Sequence, residues 1–442
     1  MKVLKFGGTS VGSAQRMKDV AKLITGGDRN IVVLSAMSGT TNSLVEITEY
    51  LYKRNPDGAS EIINKLAIKY YEHVEELYQT SEYKQRAKEL IAYHFDYIRT
   101  FTKDLFTLFE ERVVLAQGEL ISTGMMNLYL NEQGIHSVIL PALDYMRTDK
   151  NAEPDPAYIK EKLHHLLNEY KDAALYITQG YICRNAYGET DNLQRGGSDY
   201  TASLIGAAIH AEEVQIWTDI DGMHNNDPRF VENTSPVRHL HFEEAAELAY
   251  FGAKILHPTC ILPAKLNNIP VRLLNTLQPD ARGTLISNTT EKGKIKAVAA
   301  KDHITAIKIK SGRMLLATGF LRKVFEIFEN YQTPIDMVTT SEVGLSCTID
   351  NRKRLDEIVD DLKKFGTVSV DSDMVIICVV GDMEWENIGF EARIISALKD
   401  IPVRMISYGG SNYNVSLLVK AADKKRALQA LSNYLFNNES VC

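Results

Sequence analysis

Lys5 stands just ahead of Gly7 and Gly8 in the stretch KFGGTS, where a short apolar run over residues 1–6 stops. Glycine removes the Cβ that would keep an anion off the main chain, and lysine supplies the charge to meet it. A glycine-rich turn from strand to helix points backbone N–H groups at a phosphate. The stretch is not the GxxxxGK[ST] pattern, and a tight turn alone would also account for it. Other stretches add to it. Residues 35–42 (SAMSGTTN) offer small hydroxyls, Thr41 among them, directly after the apolar run IVVL. Residues 193–201 (LQRGGSDYT) set Arg195 and Asp199 around Gly196, Gly197 and Ser198. A guanidinium fork suits a carboxylate ligand, with a surface salt bridge as the plainer reading. Residues 217–229 (WTDIDGMHNNDPR) place Thr218 and Asp219 at the end of another apolar run, with Arg229 beyond an Asp-Pro turn. Turn chemistry explains Gly222 and Pro228 without a ligand, but not Arg229. Lys254 lies amid apolar neighbours in FGAKILHP, where an ammonium needs a partner such as phosphate or must snorkel to solvent. Glu119, in AQGELISTGMM at what reads as a helical start, would face the helix N-terminus or a ligand's ammonium.

The elements that must carry these residues fall into two halves. From residue 1 to about 288, short apolar runs at 31–34, 137–140, 174–178 and 214–217 alternate with helical stretches. Runs of this kind are strands covered on both faces, which predicts an α/β domain with a largely parallel sheet. Ligands in such sheets bind at the carboxyl ends of the strands. Within it, residues from about 57 to 115 have helical spacing and read as an insertion or lid. After EKGK at 291–294 a repeat begins. Copy one reads as strand 304–310, helix from 319, strands across IDMVTTSEV and GLSCTID, helix 354–365 and strand 367–370. Copy two reads as strand 374–380, helix from 389, strands across VRMISYGGS and NYNVSLLVK, and helix 424–436. Two such βαββαβ units are ferredoxin-like. The second copy lacks its last strand, and the unclaimed strand-like residues 295–300 (IKAVAA) are expected to supply it, so that copy one is inserted within copy two.

With 442 residues, 45% of them hydrophobic, the chain has room for two or three domains. A net charge of -7 gives no basic footprint for nucleic acid or membrane. No secretory signal and no run of about 18 apolar residues is present, which predicts a cytoplasmic protein. Five scattered cysteines, none in a CxxC pair, are expected to be reduced packing residues rather than disulfides or metal ligands.

In this order, KFGGTSVGS, SAMSGTTN, GELIST, RGGSDYTA, WTDIDGMHNNDPR and FGAKILHP, followed by two regulatory repeats, resemble the aspartokinases of the single-function, lysine-sensitive type. The resemblance covers nearly the whole chain. It implies an amino-acid-kinase fold, a three-layer α/β/α domain with a mainly parallel sheet over 1–290, followed by two ferredoxin-like ACT domains at 301–372 and at 294–300 plus 373–442. It also implies transfer of the γ-phosphoryl group of ATP to the side-chain carboxylate of L-aspartate, giving ADP and 4-phospho-L-aspartate, the step that leads to lysine, threonine and methionine. That carboxylate, with a pKa of about 4, is already ionised at neutral pH and needs no general base. The task is to bring an anion to an anion, which requires positive charge, N–H donors and Mg²⁺.

The resemblance assigns roles residue by residue. Lys5, Gly7 and Gly8 hold the transferring group, and Asp199 orients the centre. Thr41, Glu119, Arg195, Gly196, Gly197 and Ser198 hold aspartate, Glu119 on its ammonium and Arg195 on its α-carboxylate. Phe6, Thr218, Asp219, His224, Arg229, Lys254 and Ile255 join Lys5, Gly7 and Gly8 at ATP, with His224 standing where similar enzymes have tyrosine. Met314, Gly319, Phe320, Leu321, Asp336, Val338, Thr340 and Ser341 match a lysine-effector pocket between paired subunits, Asp336 meeting an ammonium, although Ala317 replaces a serine contact. Core packing of Phe320 and Leu321 and a solvated Asp336 are the structural alternatives. Shared ACT edges imply at least a homodimer. Kinases of the same fold acting on N-acetylglutamate or glutamate are the nearest rivals, and Glu119 argues against an acylated amine. A non-catalytic amino-acid sensor is opposed by the retained charges. The length leaves no room for a homoserine dehydrogenase domain.

Overall fold

The structure, a computed structural model, describes residues 1–436 apart from 28, 104, 194–195, 253–255, 313 and 315–317. It divides into two compact units, Met1–Met223 with Ile255–Asn288, and His224–Lys254 with Thr289–Cys442.

In the first unit the strand Lys2–Phe6 is central. It pairs in parallel with Asn30–Leu34 on one side and Val214–Thr218 on the other. Leu175–Gln179 and Val138–Leu140 continue the parallel sheet outward from the first neighbour, and Val271–Asn275 from the second. Thr284–Ser287 then closes antiparallel. Strand alternation splits the central residues between two faces. Leu4, Phe6, Val32 and Leu34 join one apolar cluster with the helices Ala14–Ile24, Thr40–Tyr52, Pro56–Leu77, Ser81–Thr100 and Leu108–Glu132. The opposite face, with Val3 and Lys5, is covered by the helix Gly197–Ile209. Burial on both faces is why these strands are continuously apolar.

The helical insertion is a packed layer, not a loose lid. Asn55, Thr80 and Thr107 cap its three helices, the last through a capping box with Glu110. Tyr70, Val74, Ile91, Phe95 and Ile98 are at most 1% exposed in the same core as the sheet. The third helix runs on through Glu132, so Glu119 sits in a helix interior rather than at a start. Gly118 does not stop it. A side chain there would meet the Ala36 Cβ at 2.8 Å, so the glycine permits close packing instead.

In the second unit one six-stranded antiparallel sheet runs in the order Val338–Ser341, Gly344–Ile349, Ile295–Lys310, Thr367–Gly381, Asn414–Lys420, Met405–Ser407. Residues 304–310 pair with copy one, and Ile295 to Lys301 pair with Gly381 to Ile376 of copy two. The expected gaps between 295–300 and 304–310 and between 367–370 and 374–380 are absent, because 295–310 and 367–381 are each a single strand. Register shifts between Lys301 and Ala306, with His303 (φ +64°) and Asp373 (φ +57°) left-handed, absorb the irregularity without ending the ladder. Each copy has its own core. Phe320–Asn330 and Leu355–Lys363 cover one, and Phe390–Ala397 and Lys424–Leu435 cover the other. Residues 224–254, expected from sequence within the first domain, pack with this unit. Val231 enters the second core, Asn226 Nδ2 donates to the Leu428 carbonyl (3.1 Å), and His241 stacks on Tyr413 at 5.0 Å.

No helix among the described residues is long and apolar enough to cross a membrane. Cys183, Cys260, Cys347 and Cys378 are buried.

Candidate active site

Lys5 lies on the sheet face covered by Gly197–Ile209, and Asp199 occupies that helix's first turn. The two meet there, Lys5 Nζ standing 2.7 Å from Asp199 Oδ1 with side chains 11% and 15% exposed. An acid in a first turn is favoured by the helix N-terminus, and here it also holds the ammonium in place. The ammonium folds back beneath the first glycine turn, 3.5 Å from where a Cβ on Gly7 would stand. Gly196 caps the helix with φ +77°, a left-handed conformation, and any side chain on it would run into the Cys260 thiol.

Three loops converge at this point. Ser38 N–H donates to the Gly8 carbonyl (3.1 Å), and a Cβ on Gly8 would lie 2.8 Å from the Ala36 oxygen. Ser35 Oγ donates to Ser198 Oγ (2.9 Å), tying the second loop to the third. All three follow the carboxyl ends of strands or open a helix, which is where backbone N–H groups are free for an anion.

Glu119 is 4% exposed, and its Oε1 accepts the Ala36 N–H at 3.2 Å. Burial pushes its carboxyl from 4.5 up to about 8, with the Ala36 bond pulling the other way. No cationic side chain among the described residues pairs with it. A buried carboxyl raised this far holds its proton near neutral pH unless a cation is brought to it.

The other expected residues divide. Thr41 is exposed at the second position of Thr40–Tyr52. The Phe6 ring is fully buried and stacks on Trp217 at 5.6 Å, so only its main chain borders the loops. Thr218 folds into a turn, its hydroxyl 3.2 Å from the Ile220 carbonyl, and Asp219 beside it is exposed. His224 and Arg229 belong to the second unit. His224 Nδ1 is 2.9 Å from Thr234 Oγ1, and the exposed Arg229 guanidinium closes on Asp227 at 2.6 Å. Arg195, Lys254 and Ile255 lie outside the described residues.

Among the expected effector residues, Gly319 is the left-handed cap (φ +81°) of Phe320–Asn330, and Met314 packs against that copy's core. Phe320 is buried there, whereas Leu321 and Val338 are each 38% exposed, and Thr340 and Ser341 are exposed on the edge strand. Asp336 is not the solvated acid of the structural alternative. Its side chain is 1% exposed, Lys301 Nζ lies 2.6 Å from Oδ1, and Tyr250 donates its hydroxyl to the same oxygen at 2.7 Å. Its second oxygen, Oδ2, is buried without a hydrogen-bond partner among the described residues.

Sequence reasoning placed Ser35 in the hydroxyl-bearing stretch 35–42 without naming the bond by which it joins two loops, and it gave no role at the loops to Lys69, Tyr70 and His73 on the helix Pro56–Leu77. The available signal for these three was polar atoms at i, i+1 and i+4 beside a core-facing stripe. No group of three or more His, Cys, Asp or Glu among the described residues is arranged to hold a metal ion.

Residues 1–275 match the amino acid kinase family, and residues 377–435 match an ACT domain. Aspartokinase 1, chloroplastic, of Arabidopsis thaliana is 34% identical, covering 99% of this chain and 80% of that one. Lysine-sensitive aspartokinase 3 of Escherichia coli is 33% identical, covering 98% and 99%. The crystal structure of E. coli aspartokinase III in complex with aspartate and ADP (R-state) superposes with a TM-score of 0.83 at 32% identity, over 99% of this chain and all of that one. With likeness extending over both halves in sequence and in structure, the chain belongs to the aspartokinases.

Proposed function

We propose that this chain transfers the γ-phosphoryl group of Mg-ATP to the β-carboxylate of L-aspartate. The observation that carries the reading is the Lys5–Asp199 pair, 2.7 Å apart where three glycine-bearing loops meet, with the uncompensated carboxyl of Glu119 bonded to one of those loops. The acceptor is already an anion, so the chain's contribution is charge and position rather than proton abstraction. Lys5 draws the two anions together, the N–H groups after Gly7 and at the start of Gly197–Ile209 receive developing charge, and Glu119 takes the substrate ammonium. Arg195 takes the α-carboxylate, and Thr218, Asp219, His224, Arg229, Lys254 and Ile255 serve the nucleotide. Mg²⁺ supplies charge neutralisation on the phosphates. A cytoplasmic homodimer paired through ACT edge strands completes the reading. ADP release should depend on L-aspartate and not on L-glutamate or N-acetylglutamate. Turnover with N-acetylglutamate would remove Glu119 from its role, and no turnover from folded, ATP-binding protein would sink the catalytic claim.

Lysine is the proposed effector, supported by the lysine-sensitive relative. In this chain its ammonium would have to displace Lys301 from Asp336. Lys301→Met therefore leaves a buried carboxylate waiting for a cation. It should unfold at lower temperature without lysine, recover with millimolar lysine, and be inhibited at about 5- to 150-fold lower lysine than the parent, the range of ordinary allosteric coupling. Asp336→Asn should lose inhibition. Unchanged lysine response in both variants would reject the pocket while leaving the kinase intact.

A further inference from the structure

One face of the helix Pro56–Leu77 reaches both glycine loops at once. Lys69 Nζ donates to the Ser38 carbonyl at 2.8 Å, and Ser38 in turn donates its N–H to the Gly8 carbonyl at 3.1 Å. One turn further on, His73 Nε2 faces the Gly12 carbonyl at 3.3 Å. Between them the fully buried Tyr70 hydroxyl pairs with Thr40 Oγ1 at 2.8 Å, where the helix Thr40–Tyr52 begins. The Tyr70 ring is itself fixed edge-on against Phe95 at 5.7 Å.

We propose that Lys69, Tyr70 and His73 are positioning residues for phosphoryl transfer, a brace that locks the loop after Lys2–Phe6 to the loop after Asn30–Leu34. The proposal rests on the active-site reading above. Loops that bind anions through main-chain N–H groups hold their geometry only if their own carbonyls are anchored. Ser38 is the shared joint, since its two backbone groups face opposite sides of the junction. A Cβ on Gly12 would come within 2.9 Å of Ser38 Cβ, so the loops are already in contact and need only be fixed. The helix can fix them because Leu66, Val74 and Leu77 anchor it in the main core. The insertion thus acts on the chemistry without touching substrate.

The test uses the full chain with Lys69→Met, Lys69→Arg, His73→Leu and Lys5→Ala in parallel, measuring ADP release and, by calorimetry, the stoichiometry of nucleotide binding. Lys69→Met and His73→Leu should each lower kcat about 10- to 100-fold, the cost of a misplacement near 1 Å, with Michaelis constants changed by roughly threefold or less. Nucleotide stoichiometry should stay at the parent value, which a merely unfolded fraction would not allow. Lys69→Arg, which can still donate to the Ser38 carbonyl, should recover most of the rate. Parent-like kcat in Lys69→Met and His73→Leu beside an inactive Lys5→Ala would overturn the brace and keep the site. So would a loss seen only as reduced stoichiometry, or one that Lys69→Arg fails to recover. A normal Lys5→Ala would instead fail the site reading itself.

Discussion

Lys5→Ala is expected to lower kcat by about 10²- to 10³-fold, roughly 3 to 4 kcal/mol of transition-state stabilisation, with a much smaller change in the Michaelis constant for Mg-ATP. The ammonium is held by Asp199 at the meeting point of the loops, 2.7 Å from the carboxylate. Its attraction for the transferring group grows as charge shifts during transfer, so its removal falls on kcat. The variant also strands Asp199. Fully buried pairs lose about 3 to 5 kcal/mol of stability when one partner goes. At 11% and 15% side-chain exposure, solvent reduces that loss here. Asp199→Asn with Lys5 intact separates the effects, since it should slow turnover less than Lys5→Ala. Steady-state ADP release on protein shown to be folded at the assay temperature makes the measurement, and near-normal turnover would take Lys5 out of the mechanism.

Glu119→Gln should weaken kcat/KM for aspartate by about 30- to 4,000-fold, the 2 to 5 kcal/mol that follows loss of one partner from a buried charge pair. Glutamine still offers an oxygen to the Ala36 N–H, so the loop is kept and only the charge is lost. The same change has a pH signature with a definite sign. Burial raises the Glu119 carboxyl from 4.5 to about 8, so the folded protein holds a proton that the unfolded chain releases between those values. Stability from this group is therefore full below about pH 4.5 and declines as pH rises towards 8. Glu119→Gln removes that decline and should gain stability over the parent at pH 8 to 9, by about 1.4 kcal/mol for each pH unit across which the parent declines, while differing little near pH 4. Aspartate supplies the missing cation, so its binding to the parent between about pH 5 and 8 should release close to one proton, and binding to the variant none. Calorimetry in buffers of different ionisation enthalpy reads this directly. Equal proton release in both proteins would mean that the substrate ammonium sits elsewhere.

Several levels of this molecule are written along the chain. Runs such as IVVL and VQIW announce strands buried on both faces because a doubly covered strand has no polar side, and they mark the sheet's carboxyl edge before any contact is known. KFGGTS and RGGSDYT announce anion-facing turns because only glycine lets the main chain come so close. The repeat after residue 294 announces two similar units through matching helix and strand periods. Each signal is local, fixed by side-chain alternation or by a single backbone conformation.

What only the tertiary structure decided concerns partners far apart along the chain. Lys5 and Asp199 lie far apart along the first domain's sequence, and only strand alternation together with the packing of Gly197–Ile209 sets them 2.7 Å apart. Glu119, in AQGELISTGMM, read as lying at a helix start, yet burial of Val114, Ile121 and Met125 in one core carries the helix straight through it. Residues 295–310 and 367–381 each read as two strands, but long neighbouring strands that pair across the gap outweigh a bulge or one left-handed residue. Asp336 read as the partner of an incoming ammonium or as a solvated acid, and the fold brings Lys301 and Tyr250 to it. Residues name the groups that need a partner, whereas the choice among distant partners is made by the packing that buries them together, because burial makes an unpaired charge costly.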